Sequence, residues 1–566
     1  MDKHNRIIFY RKWILIFFAA ITVCFFTLDR EGATAENLAA VTVKNSRWAA
    51  PESTFTLPGP AGDGGIFYPD LQASFPAVNW ATLDRLYIPA GHYKYIELGN
   101  LPNRSLNDPL VITNAGGQVR IGGLGHHYVF HINGGSGWVL TGRYDPIGQT
   151  GHPDYVGHAD GAYANSNGSY GIYINDQFTS DSQYITSALK VRGRATKYEL
   201  EFIEVTRTSF AGISLKTDDT PDALMEDVRV HDLYIHDTGG EGMYIGSTKH
   251  EQHPQHKFRN LEIYNNRVLR TALEPMQLGQ MGDGIKVHNN VFGPGAIGWR
   301  TAFQNFQDKN LQILYREGVV EVHHNIFIGA KDSLMYIKGL DIAGDTHAPG
   351  DGVYIHNNYF AHFGWLGGFA RSDTPEAAHF IEDNYFRGYH FIRDEVFTVA
   401  EASEMIRLNQ GPGVFPITFN GNRFELPNHL KFVNALSNSD GNGSNGPVSG
   451  SGNMRGAVVP IEFVNFGVPA TYDYNRIEVW TDNATLGNNT AVSYNQGDIV
   501  FHESIPYECQ VATCATGLVP PDNPATWLKL PPFPDDVRLA EDSPYFGIGL
   551  LPTVWPENVY LPIVVR

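Results

Sequence analysis

Cysteine and charge are both scarce in this 566-residue chain, which has three Cys and only 18% Asp, Glu, Lys and Arg. So few cysteines exclude a disulfide-stapled scaffold, and the low charge excludes a disordered or coiled-coil protein. The formal net charge of −19 argues against a nucleic-acid partner. Long amphipathic helical patterns are also lacking in the first half. The 59 Gly and 12% aromatic residues instead favour a turn-rich, all-β protein.

The one long apolar run lies at the N-terminus, from Trp13 to Leu28, after four basic residues. Ala33-Thr34-Ala35 then provides the small residues of a cleavage site before Glu36. The run is shorter than the roughly 20 residues of a membrane helix. We therefore expect a signal peptide at 1–35, no membrane contact after its cleavage, and a secreted monomer. A periplasmic or cell-surface location, with a lipid on Cys24, is the alternative.

A short phrase that ends shortly after an Asn recurs between residues 261 and 424. Its copies are LEIYNNRV, IKVHNNVF, VEVHHNIF, VYIHNNYF, HFIEDNYF and ITFNGNRF, with the Asn at Asn266, Asn290, Asn325, Asn358, Asn384 and Asn422. A strict motif with elastic spacing indicates one structural coil per repeat and loops of variable length. Equivalent residues of stacked parallel strands form ladders about 4.8 Å apart. A buried Asn can bond the next coil's backbone and the neighbouring amide, so we assign this column to stability.

The repeat of strand, turn, strand, Asn and short strand predicts a right-handed parallel β-helix. With the opening VNWATLDRLYIPAGHYK, the sequence resembles the pectin-lyase-like superfamily over residues 77–465. The resemblance implies a polysaccharide lyase or glycoside hydrolase that acts on an extracellular polysaccharide. We predict an N-terminal cap at 36–84 and the β-helix at 85–470.

A second resemblance lies near the C-terminus, beyond a Gly/Ser/Asn-rich stretch at 437–453. The segment is similar to small chitin- or cellulose-binding modules at Tyr494, Gly497, Asp498, Val500, Tyr507, Pro520 and Trp527. The resemblance implies a carbohydrate-binding module at 488–530 whose Tyr507 and Trp527 stack on sugar rings. The alternative is that both rings form the core of a small β module. Cys509 and Cys514 can form a local disulfide in an oxidising compartment, and 531–566 reads as a closing segment.

When the strands after the long loops are aligned on their inward apolar residues, their outward side chains form two columns. The first column is Ser214, Tyr244, Gln277, Leu314, Tyr336 and Phe369, and the second is Lys216, Gly246, Gly279, Arg316, Lys338 and Arg371. The second column is basic at four of six coils, which favours a groove for an anionic polymer. A solvated strand face with ordinary ion pairs is the alternative.

β-Elimination on a uronic-acid polymer would use this basic column. Arg316 or Arg371 would neutralise the carboxylate, Lys338 would act as the base, and Tyr336 or Tyr244 would act as the acid. The predicted substrate-binding residues are Lys216, Tyr244, Gln277 and Phe369. A Ca²⁺ ion held by Asp218, Asp219 and Asp222 could replace the arginine, although these residues also suit a plain turn.

Two other functions stay open from the sequence. A glycoside hydrolase would need two carboxyl groups, for which Glu241, Asp283, Asp332 and Asp341 are available. A non-catalytic adhesin would need neither. His250, His253 and His256 have a spacing that could ligate a metal from a loop. The sequence thus predicts first a lyase for an acidic polysaccharide.

Overall fold

The computed structural model describes residues 51–60, 64–122, 128–143, 170–175, 187–216, 224–248, 257–296, 307, 309–330, 334–340, 342, 344–363, 370–373, 377–389, 406–409, 417–425, 436–438, 448–455, 477–479, 493–502, 505–515, 517–530 and 548–549. The signal peptide predicted at 1–35 lies outside these ranges. Within them, 35 strands join one system of parallel sheets. Among these residues no helix is long and apolar enough to cross a membrane. The helix Leu71–Ser74 is a single turn, capped by the Asp70 carboxylate.

Three parallel sheets run along the molecule. Sheet 1 contains Thr54–Thr56, Arg85–Tyr93, Leu110–Ile121, Ser136–Thr141, Thr196–Glu201, Met225–His231, Phe258–Tyr264, Ile285–His288, Val319–His323, Gly352–His356, His379–Glu382, Ile417–Asn420 and Val448–Ser451. Sheet 2 contains the second halves of Arg85–Tyr93 and Leu110–Ile121, then Ile172–Asn175, Ile203–Thr206, Tyr234–Thr238, Arg267–Thr271, Val291–Phe292, Ile326–Ile328, Tyr359–Phe363, Tyr385–Tyr389, Arg423–Glu425 and Met454–Arg455. Sheet 3 contains Ile66–Tyr68, Ile96–Gly99, Tyr128–Asn133, Ser187–Arg192, Ile213–Leu215, Met243–Ile245, Met276–Met281, Leu311–Tyr315, Met335–Gly339, Ala370–Asp373, Ile406–Asn409 and Leu436–Asn438.

Each coil passes from sheet 3 to sheet 1 and then to sheet 2, and every strand pairs with its counterpart one coil away. This is the predicted parallel β-helix, and parallel crossover connections of this kind are right-handed. The first coil begins earlier than predicted. Thr54–Thr56 and Ile66–Tyr68 already pair in sheets 1 and 3, inside the segment 36–84 that we expected to be a cap.

The core consists of ladders of identical or similar apolar side chains inside the coil. Phe292, Phe327, Phe360 and Phe386 stack in sheet 2 with ring centroids 5.3, 5.0 and 4.9 Å apart. All four are fully buried. Burial of a Phe side chain contributes about 1.5–3 kcal/mol, and each aromatic pair adds about 0.5–1.5 kcal/mol. The alternation read in the sequence therefore places these rings in one continuous core.

The Asn ladder is confirmed at the corner between sheets 1 and 2. Asn290 shows the repeated pattern: its side-chain amide donates to the Asn325 Oδ1 at 2.9 Å and to the Ile263 carbonyl at 2.9 Å. Its backbone N–H also donates to the Asn325 Oδ1, at 3.0 Å. The same bonds connect Asn266 to Asn290, and the ladder continues through Asn358, Asn384 and Asn422 to Asn453. Each Asn thus bonds the next coil.

The residue at the start of this corner has a left-handed backbone in successive coils. This corner column is Phe202, Asp232, Asn265, Asn289, His324, Asn357, Asp383, Gly421 and Gly452, with φ from 51° to 70°. A left-handed backbone is costly for most side chains and is tolerated best by Gly, Asn and Asp. Phe202 and His324 are the members of this column that are none of these.

A separate small module follows the coils. Its antiparallel core sheet contains Ile499–His502, Ile505–Cys509 and Trp527–Lys529, and Ile477–Val479 pairs with it in parallel. Tyr494–Asn495 pairs with Thr513–Cys514, and a 3-10 turn covers Pro520–Asp522. Cys509 and Cys514 form the local disulfide that the sequence allowed. The module therefore begins before residue 488.

Gly549 returns to the side of the β-helix. Its N–H donates to the His324 carbonyl at 2.8 Å, and its own carbonyl accepts from the Asn289 side chain at 3.0 Å. The contact lies at the corner between sheets 1 and 2, in the middle of the stack. This part of the predicted closing segment thus packs along the coils and not on the last one.

Candidate functional site

Sheet 3 is flanked by the connections that vary in length. From 232–233 to 452–453 the corner between sheets 1 and 2 is two residues long in every coil, whereas one earlier coil has residues 142–171 between Ser136–Thr141 and Ile172–Asn175. By contrast, the connection from sheet 2 to sheet 3 spans only 272–275 in one coil but 293–310 in the next. Variable loops carried on a constant scaffold are where binding sites concentrate. The outer side of sheet 3, which we call the sheet 3 face, is therefore the candidate site.

The strand register corrects the first predicted column on this face. The observed column is Lys190, Ser214, Tyr244, Gln277, Gln312, Tyr336, Arg371 and Arg407. Gln312 stands where Leu314 was expected, and Arg371 stands beside Tyr336 where Phe369 was expected. Phe369 lies outside the described residues. The column of aromatic and polar side chains is therefore more polar than the sequence indicated.

The second column is wrong as a basic column. The register partners of Lys338 are Leu314 on one neighbouring coil and Asp373 on the other. Arg316 and Arg371 were expected at these two positions. The two misaligned coils were each displaced by two residues. Because side chains alternate with a period of two, such a displacement leaves the inward and outward faces unchanged, so the apolar pattern cannot reveal it. Lys216 and Lys338 are the cations of the predicted set that stay in this column.

Arg316 belongs to an ion-pair network beside the sheet. It lies just beyond strand Leu311–Tyr315 and is 5% exposed. Its Nε and Nη2 donate to the two oxygens of Asp345, both at 2.7 Å. Lys257 approaches the same carboxylate at 2.9 Å and Glu317 at 2.6 Å. Removing one partner of a buried pair leaves an uncompensated charge, so Arg316 and Asp345 hold the connection after Met335–Gly339 in place.

Glu241 is a buried carboxyl group immediately before strand Met243–Ile245. Its Oε1 accepts a 2.7 Å hydrogen bond from the Gln307 side chain, and the residue is fully buried. Burial raises the pKa of Glu241 to about 7, although the Lys216 charge acts in the opposite direction. Glu241 is therefore largely protonated just below neutral pH, which is the state that a general acid requires.

A second carboxyl group, Glu274, occupies the equivalent position one coil away. Met243 pairs with Met276, and the Gly242 N–H donates to the Glu274 carbonyl at 2.9 Å, so the two glutamates are neighbours in the stack. The next coil has the buried Lys309 in this position. Neighbouring coils lie about 4.8 Å apart. Two carboxyl groups and a lysine are thus brought side by side at the edge of the sheet 3 face.

Buried acceptors beside Glu241 have no donor. Within the described part of the chain, the Glu241 Oε2, the Gln307 Oε1 and the Gln277 Oε1 lack a hydrogen-bond partner. Buried polar atoms are satisfied in the great majority of cases, and exceptions mark a water, an ion or a ligand. Gln307 contacts Glu241, and Gln277 lies on the sheet 3 face of the next coil. A ligand with hydroxyl groups would give donors to the two amide oxygens and an acceptor to the protonated Glu241.

Lys216 and Tyr244 flank the carboxyl groups. The Lys216 Nζ lies 4.1 Å from the centre of the Tyr244 ring, a cation–π contact. The Tyr244 hydroxyl lies 3.3 Å from the Thr248 hydroxyl. Tyr244 and Gln277 are register neighbours on consecutive coils. The structure therefore brings together Lys216, Tyr244 and Gln277, three of the predicted substrate-binding residues.

The remaining predicted site residues divide into two groups. Asp218, Asp219 and Asp222 lie outside the described residues, so the calcium site stays a prediction. Tyr507 and Trp527 are 6% and 2% exposed and form the core of the C-terminal module with Tyr494 and Val500. Their expected stacking on sugar rings is therefore wrong, because a buried ring offers no face. The alternative, a small β core, is confirmed.

Sequence reasoning missed Glu274, Lys309 and Gln307. The first two lie in the connections that precede their strands, where no periodic pattern draws attention to them. An available signal was their spacing: Glu241 and Glu274 each stand two residues before the Met that begins an aligned strand. Gln307 approaches from the long connection 293–310, and its contact with Glu241 follows from no local pattern.

No protein-family model matches the sequence, and no curated protein sequence matches it significantly. Among solved structures, the chain is similar to a GH136 lacto-N-biosidase from Eubacterium ramulus, with 9% identity over 72% of this chain and 68% of that one, and a TM-score of 0.42. It is similar to a GH87 alpha-1,3-glucanase from Streptomyces thermodiastaticus, with 12% identity over 72% and 70%, and a TM-score of 0.36. It is also similar to an alginate lyase from Paenibacillus sp., with 14% identity over 71% and 95%, and a TM-score of 0.31. Similarity at these identities concerns the fold alone.

Proposed function

We propose that the chain is a secreted enzyme that cleaves a polysaccharide bound along the sheet 3 face. The observation that carries this proposal is the protonated Glu241 together with the buried amide oxygens of Gln307 and Gln277 that have no donor. Sugar hydroxyl groups are donors of the kind that these acceptors require. The polar column from Lys190 to Arg407 crosses eight coils, which suits a substrate longer than one ring.

Hydrolysis of a glycosidic bond is the reaction that this geometry supports best. A glycoside hydrolase needs one protonated carboxyl group to give a proton to the leaving oxygen and one ionised carboxyl group on the other side of the bond. Burial prepares Glu241 for the first role. Glu274, one coil away, is the candidate for the second role, as general base or nucleophile. Lys216 and Tyr244 would orient the sugar ring from the adjacent position.

β-Elimination is the second candidate, and a specific observation favours it. Tyr336 and Arg371 are neighbours in the observed column, and Lys338 lies two residues beyond Tyr336 on the same face. In this reaction Arg371 neutralises a uronic-acid carboxylate, Lys338 takes the C5 proton, and Tyr336 protonates the leaving oxygen. The loss of Arg316 from the column weakens this candidate, because one of the four expected cations is paired with Asp345 beside the sheet.

The products distinguish the two reactions. We expect the purified chain to release new reducing ends from a neutral or acidic polysaccharide without any rise in the ultraviolet absorbance of unsaturated uronic acids. A screen across pectin, alginate, glycosaminoglycans, chitin, cellulose and α- and β-glucans supplies the substrates. A rise in that absorbance would instead support elimination. Binding to a polymer without either product would contradict an enzyme and support the adhesin.

The C-terminal module is proposed to attach the enzyme to insoluble polymer. Deleting the module, residues 477–530, should reduce binding to the insoluble substrate by about tenfold or more, because we infer that an exposed surface of the module, and not the buried Tyr507 and Trp527 rings, contacts the polymer. Turnover of a soluble oligosaccharide should change less than twofold. A sedimentation assay with the intact chain as control measures the first effect. Unchanged sedimentation would reject the module as a binding unit.

A further inference from the structure

A ladder of rings lies on the outer face of sheet 1, remote in the coil from Glu241. His231, Tyr264, His288, His323 and His356 occupy equivalent positions on five consecutive coils. Their ring centroids are 4.4, 5.3, 4.9 and 5.1 Å apart, and the planes are within 9° of parallel. Four imidazoles in one column form a cluster of metal-ligating and titratable groups that the proposed reaction does not use.

Three of the four histidines have the same two partners. The Nε2 of each faces a glutamate of the preceding coil: Glu199 at 2.8 Å from His231, Glu262 at 3.2 Å from His288, and Glu321 at 2.9 Å from His356. The Nδ1 of each faces a side-chain oxygen of the adjoining corner residue: Asp232 at 2.7 Å, Asn289 at 3.0 Å and Asn357 at 2.9 Å. Both ring nitrogens are therefore used.

His323 departs from this pattern on both sides. The glutamate position of the preceding coil is Lys286, which pairs with Glu321 and cannot accept a hydrogen bond. The corner residue is His324, where the coils on either side have Asn289 and Asn357. Among the described residues, the only hydrogen-bond partner of the His323 ring is the Nδ1 of His324, and the two Nδ1 atoms lie 2.9 Å apart.

The distance between these nitrogens matches two ligands on one metal ion. Nitrogens at about 2.0 Å from a metal and at a right angle are about 2.9 Å apart, whereas tetrahedral angles would separate them by about 3.3 Å. Right angles between imidazole ligands are typical of tetragonal Cu(II) and Ni(II) sites. We propose that His323 and His324 bind a divalent copper-type ion through their Nδ1 atoms, with the remaining positions taken by water.

The surroundings keep both imidazoles available as ligands. Burial and the neighbouring His288 lower the pKa of His323 to about 3, and burial and the neighbouring His356 lower the pKa of His324. Both rings are therefore neutral near pH 7, as metal binding requires. His231 differs, because although burial alone would lower its pKa, its bonds to Asp232 and Glu199 raise that pKa to about 10.

His324 has the left-handed backbone of this corner, as Phe202 does in an earlier coil. A side chain at this corner carries a conformational cost of about 1 kcal/mol relative to Gly. Asn at the same corner makes the hydrogen bond to the preceding histidine that recurs in the neighbouring coils. A histidine there gains nothing in the ladder that Asn does not give. A second nitrogen ligand beside His323 is what His324 adds.

The test compares Cu²⁺ binding by the full chain and by His324→Asn, which restores the corner residue of the neighbouring coils. Both proteins carry Asn in place of His250, His253 and His256, so that this loop contributes no ligands. Calorimetric titration with Cu²⁺ in a weakly chelating buffer should show a one-to-one site that His324→Asn weakens by about 100-fold. Electron paramagnetic resonance of the bound Cu²⁺ should show coupling to two nitrogens in the parent only.

His288→Gln is the matched control, since it removes a ring of the same ladder but neither proposed ligand. It should bind Cu²⁺ within about threefold of the parent. Thermal unfolding of each variant without metal checks that the coils are intact. Equal affinity of the parent and His324→Asn, or a signal with no nitrogen coupling in the parent, would overturn the proposal. In that case the two imidazoles only share a hydrogen bond.

Discussion

Replacing Glu241 by glutamine should reduce kcat on the cognate polysaccharide by about 10³-fold, because a general acid contributes about 10²- to 10⁴-fold to such a reaction. Glutamine keeps the size of the side chain and can still contact Gln307, but it has no proton to donate. Because Glu241 is buried in its protonated, neutral form, the neutral replacement should leave the melting temperature within about 2 °C. Initial rates of reducing-end release and a thermal scan measure both quantities.

The pH profile gives this prediction a second readout. The acid is active when protonated, so kcat of the parent should fall about tenfold per pH unit above the Glu241 pKa of about 7. Lys216 holds that pKa down. Lys216→Met removes the charge and should therefore move the alkaline limb of the profile to higher pH. A change in KM alone would show that Lys216 only binds substrate.

Glu317→Gln is the control for Glu241→Gln, because Glu317 is also a glutamate beside sheet 3 but lies in the ion-pair network with Lys257 and Arg259. It should lower stability and leave the pH profile of kcat unchanged. If Glu241→Gln retains more than a tenth of the parent activity, Glu241 is not the acid. In that case Lys338→Ala should be assayed for both products. If Lys338→Ala loses elimination but not hydrolysis, the reaction is elimination and its site lies near Tyr336.

Replacing Asn358 by alanine should destabilise the chain by about 4 kcal/mol, because several buried groups lose their partners together. The Asn358 side chain donates to the Val322 and His356 carbonyls and to the Asn384 Oδ1. Its own Oδ1 accepts from the backbone and side chain of Asn325. Alanine offers none of these bonds. The midpoint of urea unfolding, followed by far-ultraviolet circular dichroism, reports the loss.

The neighbouring Asn357→Gly is the matched control. Gly occupies this corner position in the later coils, at Gly421 and Gly452, and it accepts the left-handed backbone at less cost than Asn. The change removes one part-buried hydrogen bond to His356. We expect a net effect within about 1 kcal/mol. If the two variants unfold at the same urea concentration, the hydrogen bonds of the Asn ladder contribute no more to the free energy of unfolding than the corner residue Asn357 does.

The sequence predicts the coils well because each strand alternates apolar and polar residues and each corner repeats an Asn. Those signals are local, so they can be recognised even where a long loop separates two repeats, as between Asn290 and Asn325. The start of the first coil was missed at Thr54–Thr56, where the strand is short and its exposed residues are not apolar. A three-residue strand carries too little alternation to be distinguished from irregular chain.

The candidate site was predicted only in part, for two physical reasons. The alternation of apolar and polar residues repeats every two residues, so it cannot reveal a register error of two residues along the stack. Arg316 and Arg371 were therefore each placed two residues away from their true register position. Contacts such as Gln307 with Glu241 depend on how a long connection folds back, which no local propensity encodes. Lys216, Tyr244 and Gln277 were placed correctly because the aligned Ile213, Met243 and Met276 are the first residues of their strands and are register partners.

The two-residue corner that recurs from 265–266 to 452–453 has a consequence for how such a protein can change in length. Since each coil from Asn266 onward is fixed at this corner by its own Asn, a whole coil is the unit that can be added or lost there without breaking the ladder. Each such event would shift every later side chain on the sheet 3 face by one rise of about 4.8 Å. The distance between two binding positions on this face is therefore a whole number of coil rises. The number of coils between them sets which sugar spacing along a polymer the face can bind.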